Sequence, residues 1–116
     1  MVKEILIVDD EPNVVVPIQF LMEQQGYRVM IAERGEDALD LIYQYKPDLV
    51  LLDIMLPGID GYEVCEIIRL NPNYRDVKII FLTAKGLSLG ADVYITKPYS
   101  NDELVAKVKE LLEKNL

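Results

Sequence analysis

The feature that most limits how this chain can fold is a run of four apolar residues followed by a single acid. The run Leu49–Leu52 contains no polar residue and predicts a strand that is buried on both faces. Asp53 follows it directly, and Pro57 and Gly58 then predict a loop. Open parallel sheets bind ligands at the carboxyl ends of their strands. We therefore expect Asp53 to lie at a functional edge, and its carboxylate to need a partner in so apolar a setting.

Segments typical of strands and helices alternate along the rest of the chain. Further strands are predicted at Ile5–Val8, at Tyr27–Ala32, at Val77–Leu82 and from about Asp92 through Ile95. Helices are predicted at 12–26, at Gly35–Tyr45, at Gly61–Leu70 and after Ser100. The last helix is expected to begin there because Ser100 and Glu103 have capping-box spacing. This alternation predicts one α/β domain over residues 1–116, with helices on both faces of a parallel sheet. Pro17 falls inside the first helix, and we expect it to loosen the first turns.

Composition argues against several classes of protein. The net charge is −8 and no basic run is present, which disfavours nucleic acid or an anionic membrane as a direct partner. The chain has no histidine, so a histidine-based triad and a histidine-ligated zinc site are excluded. The single cysteine excludes an internal disulfide. With neither a membrane span nor a signal-peptide pattern in the sequence, we expect a cytoplasmic location.

Polar residues follow the other predicted strands as well. Asp9 and Asp10 follow the first strand, Thr83 the fourth and Lys97 the fifth. In a doubly wound sheet of order 2-1-3-4-5 the first and third strands are neighbours, so both sets of acids meet at one switch point. Three carboxylates packed together repel one another unless a cation lies among them. Mg²⁺ suits such a site, while Lys97 adds a positive charge and Thr83 a hydroxyl donor.

Four stretches in this order, Ile5–Glu11, Asp48–Gly61, Leu82–Ala84 and Gly90–Tyr99, resemble the receiver domain of two-component response regulators. The resemblance covers almost the whole chain and implies a flavodoxin-like fold. It also implies that the chain accepts a phosphoryl group from a sensor histidine kinase or phosphotransfer protein and signals to an unidentified output partner. Self-catalysed phosphorylation and autodephosphorylation would be its only catalysis. Since no further segment follows the last helix, we expect a stand-alone receiver or an isolated domain.

The resemblance assigns the metal and phosphate positions. Asp53 matches the phospho-accepting aspartate, Asp10 the direct metal ligand and Asp9 its acidic neighbour. Met55 matches the position whose backbone carbonyl completes the metal shell. The implied ion is Mg²⁺, with Mn²⁺ as an alternative.

The same resemblance assigns the residues that sense the phosphoryl group. Thr83 and Lys97 match the phosphate-sensing hydroxyl and amine. Thr83 and Tyr94 match the switch pair, whose aromatic ring turns inward on activation. The bond between Lys97 and Pro98 matches a cis peptide bond of the family, as cis bonds before proline mark tight turns.

Several other residues are interpreted as structural. Asp48 is the residue that leads into the third strand, and Asp60 is a turn residue. Tyr99 is expected to pack against its neighbours, and Cys65 to be a small residue in or beside the core.

The segment between the fourth and fifth strands is shorter than the family pattern. Only eight residues, 84–91, separate Thr83 from Asp92. A crossover with its helix needs at least about 10–12 residues. We therefore predict that the fourth helix is missing or vestigial, and that a bare apolar face favours a homodimer. Exchange of the segment Asp92–Leu116 between two copies is one way to form it.

Two other functions remain open. One is a binding module of the same fold that signals without phosphorylation, which the shortened crossover favours and intact Asp10, Asp53, Thr83 and Lys97 disfavour. The other is a phosphatase of the haloacid dehalogenase type, which also uses a strand-end aspartate. That family has a second acid two residues after the nucleophile, where this chain has Met55.

Overall fold

The computed structural model of this protein describes residues 2–83 and 91–113, without the side chain of Thr83. Strands and helices alternate as the sequence predicts. The strands are β1 (Glu4–Val8), β2 (Arg28–Ala32), β3 (Leu49–Asp53), β4 (Lys78–Thr83) and β5 (Val93–Thr96). The helices are α1 (Pro12–Gln24), α2 (Gly35–Tyr45), α3 (Gly61–Leu70) and α4 (Asn101–Leu112), with a 3₁₀ turn at Pro72–Tyr74.

The five strands form one parallel sheet in the order β2-β1-β3-β4-β5. This order confirms the predicted flavodoxin-like, doubly wound arrangement. β1 and β3 are neighbours, with Val8 opposite Leu52, so their carboxyl ends lie side by side. The order reverses between them, which is where such sheets bind ligands.

Buried side chains cover both faces of the sheet, which explains why its strands are almost continuously apolar. One face packs against α2 and α3 through Leu6, Val8, Val50, Leu52, Ile79 and Phe81. The other packs against α1 and α4 through Ile5, Ile7, Leu49, Leu51, Ile80, Leu82 and Ile95. Packing on both faces therefore fixes the positions of the strands, and with them the positions of their carboxyl ends. Cys65 is part of this core, as predicted.

Helix α1 is continuous through Pro17. In its first turn the Glu11 carbonyl accepts the N–H groups of both Val14 and Val15, at 2.9 and 3.0 Å. The helix ends at Gln24, and Gly26, with a φ of 92°, turns the chain so that the Tyr27 N–H donates to the Met22 carbonyl of the helix at 3.2 Å. Both the predicted start and the predicted stop are confirmed, and the proline does not interrupt the helix.

Helix α4 begins as its capping spacing predicts. Ser100 Oγ accepts the N–H of Glu103 at 3.0 Å. The buried face of the helix is formed by Leu104 and Val108, which pack on the sheet. None of the helices in the described ranges has the length and apolar content needed to cross a membrane.

The connection between β4 and β5 is nine residues long, from position 84 to 92. Residues 84–90 of this connection lie outside the described residues. The prediction that the segment forms no full helix concerns these residues and stays a prediction. Chain length alone is below the usual minimum of about 10–12 residues for a crossover with a helix.

Candidate functional site

An acidic cluster forms where β1 and β3 end. Asp9 and Asp10 follow β1, and Asp53 is the last residue of β3. One carboxylate oxygen from each of these three residues lies within 4.8 Å of the others. The convergence that the strand order predicted is therefore present.

Asp9 is the most buried member of the cluster, with 2% of its surface exposed. Its Oδ1 accepts the backbone N–H of Glu11 at 2.9 Å. Its Oδ2 is buried and has no hydrogen-bond partner among the described residues. Burial raises the pKa of Asp9, while the Glu11 N–H and the charge of Lys97 oppose that rise.

Asp53 is partly buried beside Asp9. Burial is the main cause that raises the pKa of its carboxyl group, and the negative charge of Asp9 adds to the effect. The charge of Lys97 and a hydrogen bond from the Met55 N–H to Oδ1, 3.3 Å long, oppose it. Met55 is 83% exposed, and its contact with Asp53 is made through its backbone N–H.

The loop after Asp53 is held by an unusually close backbone approach. The Gly61 N–H donates to the Ile54 carbonyl at 2.9 Å. A Cβ atom on Gly61 would clash with the Asp53 carbonyl oxygen and with the Ile54 Cα. Asp60 then caps α3 by accepting the Glu63 N–H at 3.0 Å. Only glycine fits here, and its absence of a side chain keeps the loop tight against the end of β3.

Lys97 follows β5 and is partly buried. Its peptide bond to Pro98 is cis, as the resemblance implied. The adjacent Tyr99 is half-buried, and burial and the charge of Asp9 raise the pKa of its phenol. The turn after β5 is therefore near enough to the acidic cluster for the charge of Lys97 to act on Asp9 and Asp53.

The two predicted switch residues lie on neighbouring strands. Thr83 ends β4 opposite Thr96, and its side chain is outside the described residues. Tyr94 is opposite Phe81 in the same ladder and is 42% exposed. The ring of Tyr94 is thus directed toward solvent in this structure.

The acidic cluster fits a hard divalent cation. Three carboxylates supply oxygen ligands, which Mg²⁺ prefers. The buried Oδ2 of Asp9 has no partner among the described residues, although a buried charged oxygen normally has one. A cation at this place would also counter the mutual repulsion of the carboxylates.

Comparison with known proteins finds relatives that are similar in sequence and in fold. The sequence model described as the response regulator receiver domain matches residues 5–109. The response regulator TrrA from Thermotoga maritima, solved in complex with Mg²⁺ and BeF, is 45% identical with a TM-score of 0.87, covering 95% of this chain and 99% of that one.

Two receiver domains of histidine kinases are similar as well. That of the Pseudomonas aeruginosa sensor histidine kinase PA1611, solved with a magnesium ion in its active site cleft, is 31% identical with a TM-score of 0.90, covering 98% of this chain and 100% of that one. That of a Syntrophus aciditrophicus histidine kinase is 32% identical with a TM-score of 0.91, covering 96% and 90%.

Proposed function

Because this chain belongs to the response regulator receiver domain family, we propose that it accepts a phosphoryl group on Asp53. The donor is a phosphohistidine on a sensor histidine kinase or phosphotransfer protein, since the chain has no histidine of its own. The observation that carries the proposal is the convergence of Asp9, Asp10 and Asp53 at the end of the sheet. Residues 1–116 act as one receiver domain that relays the signal in the cytoplasm.

Asp53 is the nucleophile in this proposal. One of its carboxylate oxygens forms a new bond to phosphorus while the bond from phosphorus to the donor breaks, and the electron pair leaves with the donor. The product is an acyl phosphate on Asp53. The signal ends when water attacks the phosphorus, which releases inorganic phosphate and restores the carboxylate. The domain therefore catalyses both its own phosphorylation and its autodephosphorylation.

Neighbouring residues orient and stabilise the reacting groups. The Met55 N–H holds Oδ1 of Asp53, which leaves the other carboxylate oxygen for attack. Lys97 already acts electrostatically on Asp53, and its amine is suited to bind an oxygen of the phosphoryl group. Thr83, at the end of the neighbouring β4, would donate its hydroxyl to a second phosphoryl oxygen.

Asp9, Asp10 and Asp53 would hold Mg²⁺ together with the backbone carbonyl of Met55, and Mn²⁺ is the alternative ion. When bound, the ion neutralises negative charge on the transferring group. Two relatives were solved with magnesium, which supports this assignment for the present chain.

The exposed Tyr94 is the second half of the proposed switch. Its ring would move inward once Thr83 contacts the phosphoryl group, changing the surface near β5. The output partner that reads this surface is unidentified.

Acetyl phosphate with Mg²⁺, followed by intact mass measurement, tests the proposed function. We expect one phosphoryl group per chain, and none when a chelator removes the ion. No mass gain would favour the phosphorylation-independent binding module. Continuous release of phosphate from unrelated phosphate esters, without a stable phosphorylated chain, would favour the dehalogenase-type phosphatase.

Self-association is a further part of the proposal. β5 is an edge strand, and its Tyr94 is 42% exposed. We expect the mass from light scattering to rise from monomer toward dimer over a concentration series, through contact or through exchange of Asp92–Leu116. A monomer mass at every concentration, with and without phosphorylation, would contradict this.

A further inference from the structure

Asp48 is joined to the neighbouring strand by both its backbone and its side chain. Its N–H donates to the Glu4 carbonyl at 2.9 Å, and its Oδ2 accepts the Glu4 N–H at 2.8 Å. Because Ile5 is paired with Leu49, Glu4 lies opposite Asp48 in the ladder. The residue before β3 is therefore tied to a single residue of β1 by two hydrogen bonds.

Asp92 makes the same pair of contacts directly before β5. Its N–H donates to the Ile79 carbonyl at 3.0 Å, and its Oδ2 accepts the Ile79 N–H at 2.7 Å. The same Oδ2 accepts a hydrogen bond from Arg69 at 2.8 Å, in an ion pair whose Arg69 and Asp92 side chains are 22% and 30% exposed. Arg69 also donates to the Val77 carbonyl at 2.8 Å, so this contact links α3 to the starts of β4 and β5.

Each of these leading aspartates, Asp48 and Asp92, precedes a proposed functional residue by five positions. Asp48 leads into the strand that ends at Asp53, and Asp92 into the strand followed by Lys97. Five residues of strand span about 17 Å, so neither aspartate touches the reacting groups. We propose that Asp48 and Asp92 are positioning residues that set the register of β3 and β5, and so bring Asp53 and Lys97 to one level of the sheet.

The proposal rests on the proposed function for the roles of Asp53 and Lys97, but the register itself does not. A slip of one residue turns every side chain of a strand to the opposite face. In β5 such a slip would expose Ile95, which is now buried, and bury Tyr94. It would also displace Lys97 from the acidic cluster.

β5 depends on its leading aspartate more than β3 does. β3 is paired on both sides, to β1 and β4. β5 is a four-residue edge strand that, within residues 2–83 and 91–113, is paired only with β4. The connection that precedes β5 is nine residues long. Fewer interactions therefore oppose a slip of β5, and Asp92 is the better position to test.

Residue-resolved hydrogen exchange and phosphorylation kinetics on the full chain test this role. In Asp92→Ala, we expect the amides of Val93–Thr96 to exchange at least about tenfold faster, with β1 unchanged, because the bonds at the start of β5 are lost. We expect the rate constant for phosphorylation by acetyl phosphate to fall about tenfold or more, since displaced reacting groups are costly. Asp92→Asn keeps an oxygen that can accept the Ile79 N–H, and should restore both values to within about threefold of wild type.

Asp76→Ala is the matched control, because Asp76 is an exposed acid whose ion pair with Lys46, 3.2 Å long, lies at the surface. It should match wild type in both measurements. Wild-type exchange in β5 of Asp92→Ala, or losses in Asp92→Asn or Asp76→Ala as large as those in Asp92→Ala, would overturn the proposal.

If Asp92→Ala does not fold, Arg69→Gln tests whether Asp92 sets the register of β5. It removes the charge that holds the Asp92 carboxylate but leaves the carboxylate itself. We expect exchange in β5 and at the Ile79 amide to rise by no more than about threefold, as in Asp92→Asn, because both variants lose the ion pair but keep an acceptor for the Ile79 N–H. A rise of about tenfold or more would mean that the Arg69 contacts, and not the bonds between Asp92 and Ile79, hold β5 in register, and would overturn the proposal. If the wild-type chain gains no phosphoryl group, the proposed function fails, and the exchange data alone still decide the register role.

Discussion

Asp53→Ala is expected to abolish phosphorylation by acetyl phosphate while the fold survives. The reason for the loss is the absence of the attacking carboxylate at the end of β3. The fold should survive because Leu49–Leu52, the buried part of this strand, is unchanged. Among the described residues the Asp53 carboxylate accepts only a 3.3 Å bond from Met55. Intact mass after incubation with Mg²⁺ and acetyl phosphate measures the first effect, and circular dichroism the second.

Two further variants sharpen this prediction. Asp53→Asn keeps the size of the side chain and should also gain no phosphoryl group, which separates nucleophilicity from packing. Asp76→Ala, at an exposed surface acid, should be phosphorylated like wild type. A phosphoryl mass on Asp53→Ala would mean that another acid, Asp10 first among them, is the acceptor.

Millimolar Mg²⁺ is expected to raise the melting temperature, by an amount that grows with pH. Burial raises the pKa values of Asp9 and Asp53 above their ordinary 3.8. Without the ion, Asp9 and Asp53 therefore contribute most to the free energy of unfolding below pH 3.8, the ordinary pKa of an aspartate. This contribution is lost as the pH rises through the higher pKa values that the two groups have in the folded protein. Mg²⁺ binds the deprotonated groups, so its effect is largest near neutral pH, about 2.7 kcal/mol at 100 times its Kd.

Asp9→Asn is the variant that tests the origin of this effect. It removes a buried charge, while the amide oxygen can keep the hydrogen bond from the Glu11 N–H. We expect a higher melting temperature without Mg²⁺ and a smaller gain with it, and Asp53→Asn should also reduce the gain. Salt of equal ionic strength is the control. A melting temperature indifferent to Mg²⁺ at neutral pH, or a full gain in Asp9→Asn, would contradict the assignment of the metal site.

Much of the fold and of the acidic cluster could be predicted because both follow from local patterns and one topological rule. The run Leu49–Leu52 indicated a strand buried on both faces, and all four residues are fully buried. The strand order then requires Asp9 and Asp10 to meet Asp53, which the structure confirms. The place of Thr83 at a strand end predicted a hydroxyl donor at this edge, whereas the phosphate-sensing role of Thr83 and the switch role of Thr83 and Tyr94 came only from the resemblance.

Contacts between residues far apart in the chain could not be predicted. Asp48 was interpreted correctly as the residue that leads into β3, but its partner Glu4 lies 44 positions away. Glycine is required at position 61 because the backbone there lies against the Asp53 carbonyl group, and neither composition nor periodicity reveals this contact. In hindsight, the equal spacing of Asp48 from Asp53 and of Asp92 from Lys97 was the one signal that the sequence offered for the register role.

Chemical mapping of the phosphoryl group on the wild-type chain tests the central claim most directly. Borohydride reduces an acyl phosphate of aspartate to homoserine, which peptide mass spectrometry can assign to one position. After treatment with acetyl phosphate and Mg²⁺, we predict homoserine at position 53 and at no other acid of the cluster. Homoserine at Asp9 or Asp10, or none at all, would contradict the account.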